Sequence, residues 1–336
     1  MFTRINKRIK YSNDTLLLTS SNSNSNSNTQ QSIETLNIEI DTNIINKRSS
    51  SSQQVYFKLC GKTRRLPKRG LGGILLSQIL LIGGTIVHEI LCYQMININN
   101  SDINVSSTAY IIFAIIGIIT FLISQTTYFD TLSSIPGYQT SNRMSHEEYN
   151  KNPPQKVIKN VAFNLTYCTT CKLVRDIRTF HCNRCGMCIE RHDHHCGFVS
   201  NCIGKDNLNK FFYFICATTL HSGFVSVISL YTFIKTVHTL FSSSHTTGNN
   251  TTGSSYALFS GVLALYIGCI FLSMLFMVIQ HVFMFLHNET KNETIRHKYD
   301  NTVFNDGLST NCREVFCNEE SQFDPDEWKR SLNSIN

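Results

Sequence analysis

Apolar and polar positions are unevenly distributed along the 336 residues. Four apolar runs, Leu71 to Met95, Thr108 to Tyr128, Phe211 to Ile234 and Tyr256 to Leu286, contain almost no ionised side chain. Each is at least as long as the roughly 20 residues a helix needs to cross a bilayer. One such run would suit a buried core helix, but four of this length predict membrane spans. The mean hydropathy near zero is therefore an average over two unlike parts of the chain. The pattern predicts an α-helical polytopic membrane protein with four transmembrane helices.

The polar stretches divide the rest. Residues 1–56 include "TSSNSNSNSNTQQS" and "RSSSSQQ", tracts with too little apolar surface to offset the entropy of ordering, and they predict a disordered, passive tail. Spans one and two then occupy 57–129, a polar segment 130–210, spans three and four 211–287, and a C-terminal segment 288–336. The first forty residues hold Arg4, Lys7, Arg8 and Lys10 without an apolar core of secretory length, so the first span serves as the insertion signal.

Basic residues set the orientation. Lys58, Lys62, Arg64, Arg65, Lys68 and Arg69 precede the first span, whereas the loop 96–107 has one charge, Asp102, and the loop 238–255 has none. Both loops are expected outside the cytosol, with the termini and the segment 130–210 inside it. Asn-x-Ser/Thr triplets do not decide the matter: Asn99, Asn104, Asn249 and Asn250 head them in the outer loops, and Asn164, Asn288 and Asn292 on the cytosolic side.

The segment 130–210 holds seven of the thirteen cysteines. In a reducing compartment, close-spaced cysteines imply metal or catalysis rather than disulfides. Cys168-x2-Cys171 is followed by His181-Cys182-x2-Cys185-x2-Cys188, then Asp193-His194-His195-Cys196 and Cys202. Such spacing suits tetrahedral zinc, because a short turn brings two thiolates to one ion. Two closed sites use eight ligands, while seven Cys and four His (His181, His192, His194, His195) offer eleven.

Three residues are left over. In an extended stretch side chains alternate, so His194 and Cys196 share one face while Asp193 and His195 share the other. With His195 turned to a metal, a thiol and an imidazole stand together outside it, beside a carboxylate, as nucleophilic catalysis requires. On spacing alone, Cys196 as a fourth ligand remains the alternative.

The run "CTTCKLVRDIRTFHCNRCGMCIERHDHHCGFVSNCIGKDN" resembles the cysteine-rich domain of the DHHC protein S-acyltransferases (palmitoyltransferases), with two spans on each side as in that family. "SIPG" at 134–137, "TKNE" at 290–293 and "NDGLSTNCREVFC" at 305–317 are similar to its shorter motifs, the last most similar to the branch with the Ras palmitoyltransferases. The resemblance implies one structural zinc on Cys168, Cys171, His181 and Cys188, and another on Cys182, Cys185, His195 and Cys202. It makes Cys196 the nucleophile, His194 its general base and Asp193 the residue orienting His194, with His192 spare.

It further implies a ping-pong transfer of a palmitoyl group from acyl-CoA to cysteine thiols of membrane-proximal proteins through a Cys196 acyl-enzyme. The expected setting is a Golgi or endoplasmic reticulum membrane, with a possible accessory subunit and no nucleic acid. His221, on the third span, falls where family members limit the depth of the acyl tunnel; a neutral His bonded to a neighbouring helix is the alternative. His88 and Glu89 are expected near the outer interface.

The chain departs from the family at Gly197 and Phe198 (Pro and Trp), Asp176 (Pro), Ile135 (Asp) and Lys291 (Thr). Lys291 is expected to pair its ammonium with Asp193 in place of a hydroxyl donor. Two rival readings are a catalytically impaired scaffold of the same family and a membrane-anchored zinc module of ubiquitin transfer of the RING kind. A two-zinc RING module has no use for Asp-His beside a spare Cys.

Overall fold

The computed structural model describes residues 6–12, 15–21, 38–39, 55–59, 62–66, 71–98, 107–242, 251–296, 303–317 and 323–333. The helices among them are α1 (Leu71–Ile98), α2 (Ser107–Ser133), α3 (His146–Lys151), α4 (Leu208–Ser242), α5 (Thr251–His287), α6 (Lys291–Arg296), α7 (Leu308–Phe316) and α8 (Pro325–Asn333). The apolar runs lie on α1, α2, α4 and α5, each long and apolar enough to cross a membrane. Helices α4 and α5, of 35 and 37 residues, outrun the roughly 20 that span the hydrocarbon. Leu75, Ile79, Leu122, Leu220 and Leu265 stand exposed, as lipid-facing positions require.

Between helices, small and polar residues do the joining. A Cβ at Gly223 would lie 2.8 Å from the Phe271 ring, and one at Gly261 2.9 Å from that of Phe233, so α4 and α5 meet through residues that only glycine fits. Ser124 Oγ meets Thr218 Oγ1 at 2.9 Å between α2 and α4. His88 is buried rather than at an interface: Gly117 of α2 leaves the space that His88 and Glu89 of α1 fill. The outer-loop asparagines Asn99, Asn104, Asn249 and Asn250 lie outside the described residues.

Between α2 and α4 stand four two-stranded antiparallel ribbons: 155–158 with 161–164, 166–168 with 173–175, 180–182 with 187–189, and 194–196 with 201–203. Isolated ribbons of three or four residues are marginal at best in water, so something other than the strands must hold them. The SIPG segment ties the unit to α2. Gly137, at φ +86°, accepts from the Glu190 N–H at 2.9 Å, and the Asn201 amide donates to Ser134 O at 2.9 Å and Thr131 O at 3.1 Å, at the open C-terminal end of α2. Ile135 fits its place, since it is buried in an apolar cluster with Tyr138, Met187 and Ile189.

Most of the tail expected over 1–56 lies outside the described residues. Strands Asn6–Ser12, Thr15–Ser21 and Ile38–Glu39 pair antiparallel, in one sheet with Val55–Leu59 and Lys62–Leu66. The runs "RIKY" and "LLLT" carry the β-branched, aromatic and apolar residues that favour strands, a signal outweighed in composition by the neighbouring Ser/Asn tract.

Candidate active site and metal centres

The structure gathers Cys168, Cys171, His181 and Cys188 into one group and Cys182, Cys185, His195 and Cys202 into another, with all ligand atoms in each within 4.8 Å of one another. His181 Nδ1 lies 3.5, 3.3 and 3.8 Å from the sulfurs of Cys168, Cys171 and Cys188. His195 Nδ1 lies 3.6, 3.5 and 3.5 Å from those of Cys182, Cys185 and Cys202. A tetrahedron with Zn–S near 2.3 Å and Zn–N near 2.0 Å has an S···N edge of about 3.5 Å, so both groups fit a closed zinc site.

The ribbons set these distances. His181 pairs with Cys188 across one ribbon and His195 with Cys202 across another, placing ligands side by side on one face. Three thiolates and a neutral imidazole around a doubly charged ion leave one net negative charge per site. Near the second site lies the buried Arg65 guanidinium, which donates to Ser200 O at 2.9 Å and to the Asn201 carbonyl, and stands 3.9 Å from Cys185 Sγ. By sequence Arg65 counted only as a topology-setting charge.

Cys196 and His194 lie outside both groups, and His192, whose Nε2 is 3.7 Å from Cys202 Sγ, belongs to neither. The strand 194–196 alternates, but Asp193 precedes it and escapes the alternation expected to place it with His195. Its carboxylate turns to the neighbouring ring: Asp193 Oδ2 accepts from His194 Nδ1 at 2.6 Å, and the side chain is 1% exposed.

Burial pushes the Asp193 carboxyl up, but the imidazoles of His194 and His281 outweigh it and hold the group well below the usual carboxylate range. Burial also pushes His194 down, yet Asp193 and Cys196 prevail and raise it from 6.5 to about 9. For Cys196, burial raises the thiol; the His194 imidazole, followed by the backbone at Val199 and Phe198, carries the balance below its ordinary value. The three residues form a carboxylate–imidazole–thiol chain with the proton favoured on the imidazole.

The ammonium pairing expected of Lys291 is corrected. Its backbone N–H, not its side chain, donates to Asp193 Oδ1 at 2.6 Å. Residue 291 opens α6, where first-turn N–H groups have no partner within the helix, so the carboxylate takes a donor that any residue but proline supplies. TKNE is itself a capping box: Thr290 N–H donates to Glu293 Oε2 at 2.9 Å, and Glu293 N–H to Thr290 Oγ1 at 3.3 Å. Glu293 also takes a bidentate ion pair from Arg178, at 2.7 and 2.8 Å. Arg178 further donates to Asn288 Oδ1 at 3.1 Å, which fastens α6 to the cysteine-rich unit.

His194 and Cys196 face a cavity of about 540 Å³, within the usual size of a ligand pocket. Cys196, His194 and Phe198 line it on one side, Phe211, Phe214 and Ile215 on α4, Ile270, Met274 and Met277 on α5, and the exposed Lys291. His221 does not line it. Its Nε2 meets Thr85 Oγ1 at 2.9 Å and its Nδ1 meets Thr120 Oγ1 at 3.0 Å, the inter-helix bonding that was the alternative for this residue. It borders instead a cavity of about 10 Å³ that shares Leu80, Leu81 and Ile270 with the large one.

Residues 162–298 match the model of the family described as DHHC palmitoyltransferase, which spans both metal groups, Cys196, the two later helices and α6. These residues, fewer than half of the chain, are similar to a DHHC palmitoyltransferase domain. Among curated proteins it is 34% identical over 164 residues to "Probable protein S-acyltransferase 7" of Arabidopsis thaliana, covering 47% of this chain and 35% of that one. It is 32% identical over 176 residues to "Palmitoyltransferase ZDHHC9" of Homo sapiens, covering 49% and 46%. With "Palmitoyltransferase ZDHHC18" of Rattus norvegicus the identity is 33% over 172 residues, covering 48% and 42%. The matched part thus spans less than half the length of these relatives.

Within the matched residues, the sequence left Arg178, Asn288 and His281 without a role. The rule that singled out His221, that an ionisable residue within a span is a functional candidate, applied equally to His281. Asn288, which heads an Asn-x-Thr triplet, is 1% exposed and donates its amide to Phe304 O at 2.7 Å, so it is a structural residue. The C-terminal motif folds as α7, whose buried Asn311 donates to Leu286 O at 2.9 Å and closes the end of α5.

Proposed function

We propose that this protein is a protein S-acyltransferase that takes a long-chain acyl group from acyl-CoA onto Cys196 and passes it to cysteine thiols of proteins at the membrane surface. The observation that carries this reading is the Asp193–His194–Cys196 chain, separate from both metal groups and open to an apolar cavity between the spans. The Cys196 proton moves to His194, and the thiolate attacks the thioester carbonyl. The carbon–sulfur bond to CoA breaks, and the leaving thiolate takes that proton. A substrate thiol then gives its proton to His194 and attacks the acyl-enzyme, restoring Cys196.

One thioester replaces another, so the exchange needs no further energy source. At about 0.8 kcal/mol per buried methylene, the acyl chain belongs in the cavity and CoA's phosphates outside it. Zinc held by Cys168, Cys171, His181 and Cys188 and by Cys182, Cys185, His195 and Cys202 would fix the geometry of the loop around Cys196 and take no part in the transfer. Phe198 lines the entrance beside the chain, and His221 braces the helices beneath its floor. The termini and the cysteine-rich unit face the cytosol, as the basic residues before α1 direct. The preferred setting is the Golgi or endoplasmic reticulum membrane, and an accessory subunit fits the reading.

Purified protein incubated with labelled palmitoyl-CoA tests it. Label on the wild type that hydroxylamine removes, and that Cys196→Ser lacks while keeping two zinc ions, is the expected result. A folded, zinc-loaded wild type that takes no label would falsify the reading.

A further inference from the structure

Asp193 has a third neighbour. His281, on α5, is 1% exposed, with its ring against Phe211 at 5.3 Å and Phe285 at 6.2 Å. Its Nδ1 lies 2.8 Å from Met277 O, a carbonyl one turn earlier, so that nitrogen carries a proton. Its Nε2 is buried without a hydrogen-bond partner among the described residues and faces Asp193 Oδ2 at 3.8 Å.

Packing alone does not account for this side chain. The aromatic surroundings would suit a hydrocarbon, and a buried polar atom without a partner costs stability. Both ring nitrogens face acceptors, Nδ1 the Met277 carbonyl and Nε2 the Asp193 carboxylate. The 3.8 Å separation exceeds hydrogen-bond length, but active-site contacts in a ligand-free protein are often long and close when substrate binds.

We infer that His281 is a positioning residue for the acyl transfer, gripping Asp193 from the fourth span so that the carboxylate holds the His194 ring toward Cys196. Asp193 is then held on three sides: by His194, by the Lys291 N–H and by His281. Since Phe211, Met277 and His281 share the wall of the acyl cavity or pack against it, a chain seated there bears on the same contact.

The inference rests on the proposed acyltransferase reading. Its test measures the self-acylation rate at saturating palmitoyl-CoA, the half-saturating concentration and the zinc content of the wild type, His281→Phe and His281→Gln. The phenylalanine keeps the ring volume and loses both nitrogens; the glutamine keeps a donor. His281→Phe should be about 10- to 100-fold slower at saturation, as for a small misplacement of catalytic groups, with the half-saturating concentration unchanged. His281→Gln should recover most of the rate.

In an Asp193→Asn background, His281→Phe should cost nothing further, since coupled residues fail to add. If His281→Phe fails to hold two zinc ions, His281→Met replaces it in every comparison. A labelled wild type with His281→Phe equally fast, Gln as slow as Phe, or a full added loss in the Asp193→Asn background overturns the inference alone. A wild type that takes no label overturns the acyltransferase reading, and the inference with it.

Discussion

At the scale of single residues, Asp193 is held by groups of unlike origin, and only one of them is visible in the local sequence. The Asp-His pair announces itself by adjacency, and the metal groups by Cys-x2-Cys spacing. The Lys291 N–H is invisible, because a backbone donor leaves no trace in residue identity, and the side chain drew attention instead. This yields a specific expectation. Lys291→Thr keeps the donor, whereas Lys291→Pro removes it at a helix position where proline is tolerated. The proline variant should acylate itself at least about tenfold more slowly than the threonine variant, since the carboxylate then loses a short hydrogen bond. Equal rates, measured with the hydroxylamine-labile label, would show that the bond does not hold Asp193 for chemistry.

At the scale of elements, the apolar runs marked the spans to within a few residues, because the bilayer imposes length and hydrophobicity together. What composition does not encode is where two elements touch. A Cβ on Gly73 of α1 would run into Gly197 O, beside Cys196, while one on Gly72 would meet nothing within 4 Å among the described residues. The first span thus braces the backbone next to Cys196. Gly73→Ala must push that carbonyl away, so self-acylation should fall by about tenfold or more with both zinc ions retained. Gly72→Ala should leave the rate unchanged. A Gly73→Ala enzyme as fast as the wild type would mean that the loop yields without moving Cys196.

At the scale of the molecule, the cysteine-rich unit has ribbons of three or four residues, and metal held by its two Cys/His groups would supply what they lack. Structural zinc contributes on the order of 10 kcal/mol or more per site, comparable with the whole stability of an ordinary domain. Removing both ions with a strong chelator should therefore open residues 130–210 to protease and abolish self-acylation together. Labelling that survives complete zinc loss would contradict this.

The second metal group also has an aromatic cover, drawn from distant parts of the chain. The Phe323 ring stands 5.4 Å from that of Tyr56, before the first span, and 4.7 Å from that of Tyr138, after the second. In biogenesis, this cover waits on the ribosome. Cys182, Cys185 and Cys202 are synthesised before the third and fourth spans. Only after the fourth span is threaded does Phe323 arrive to close over them. The cover over this group is therefore completed only by chain made after all four spans.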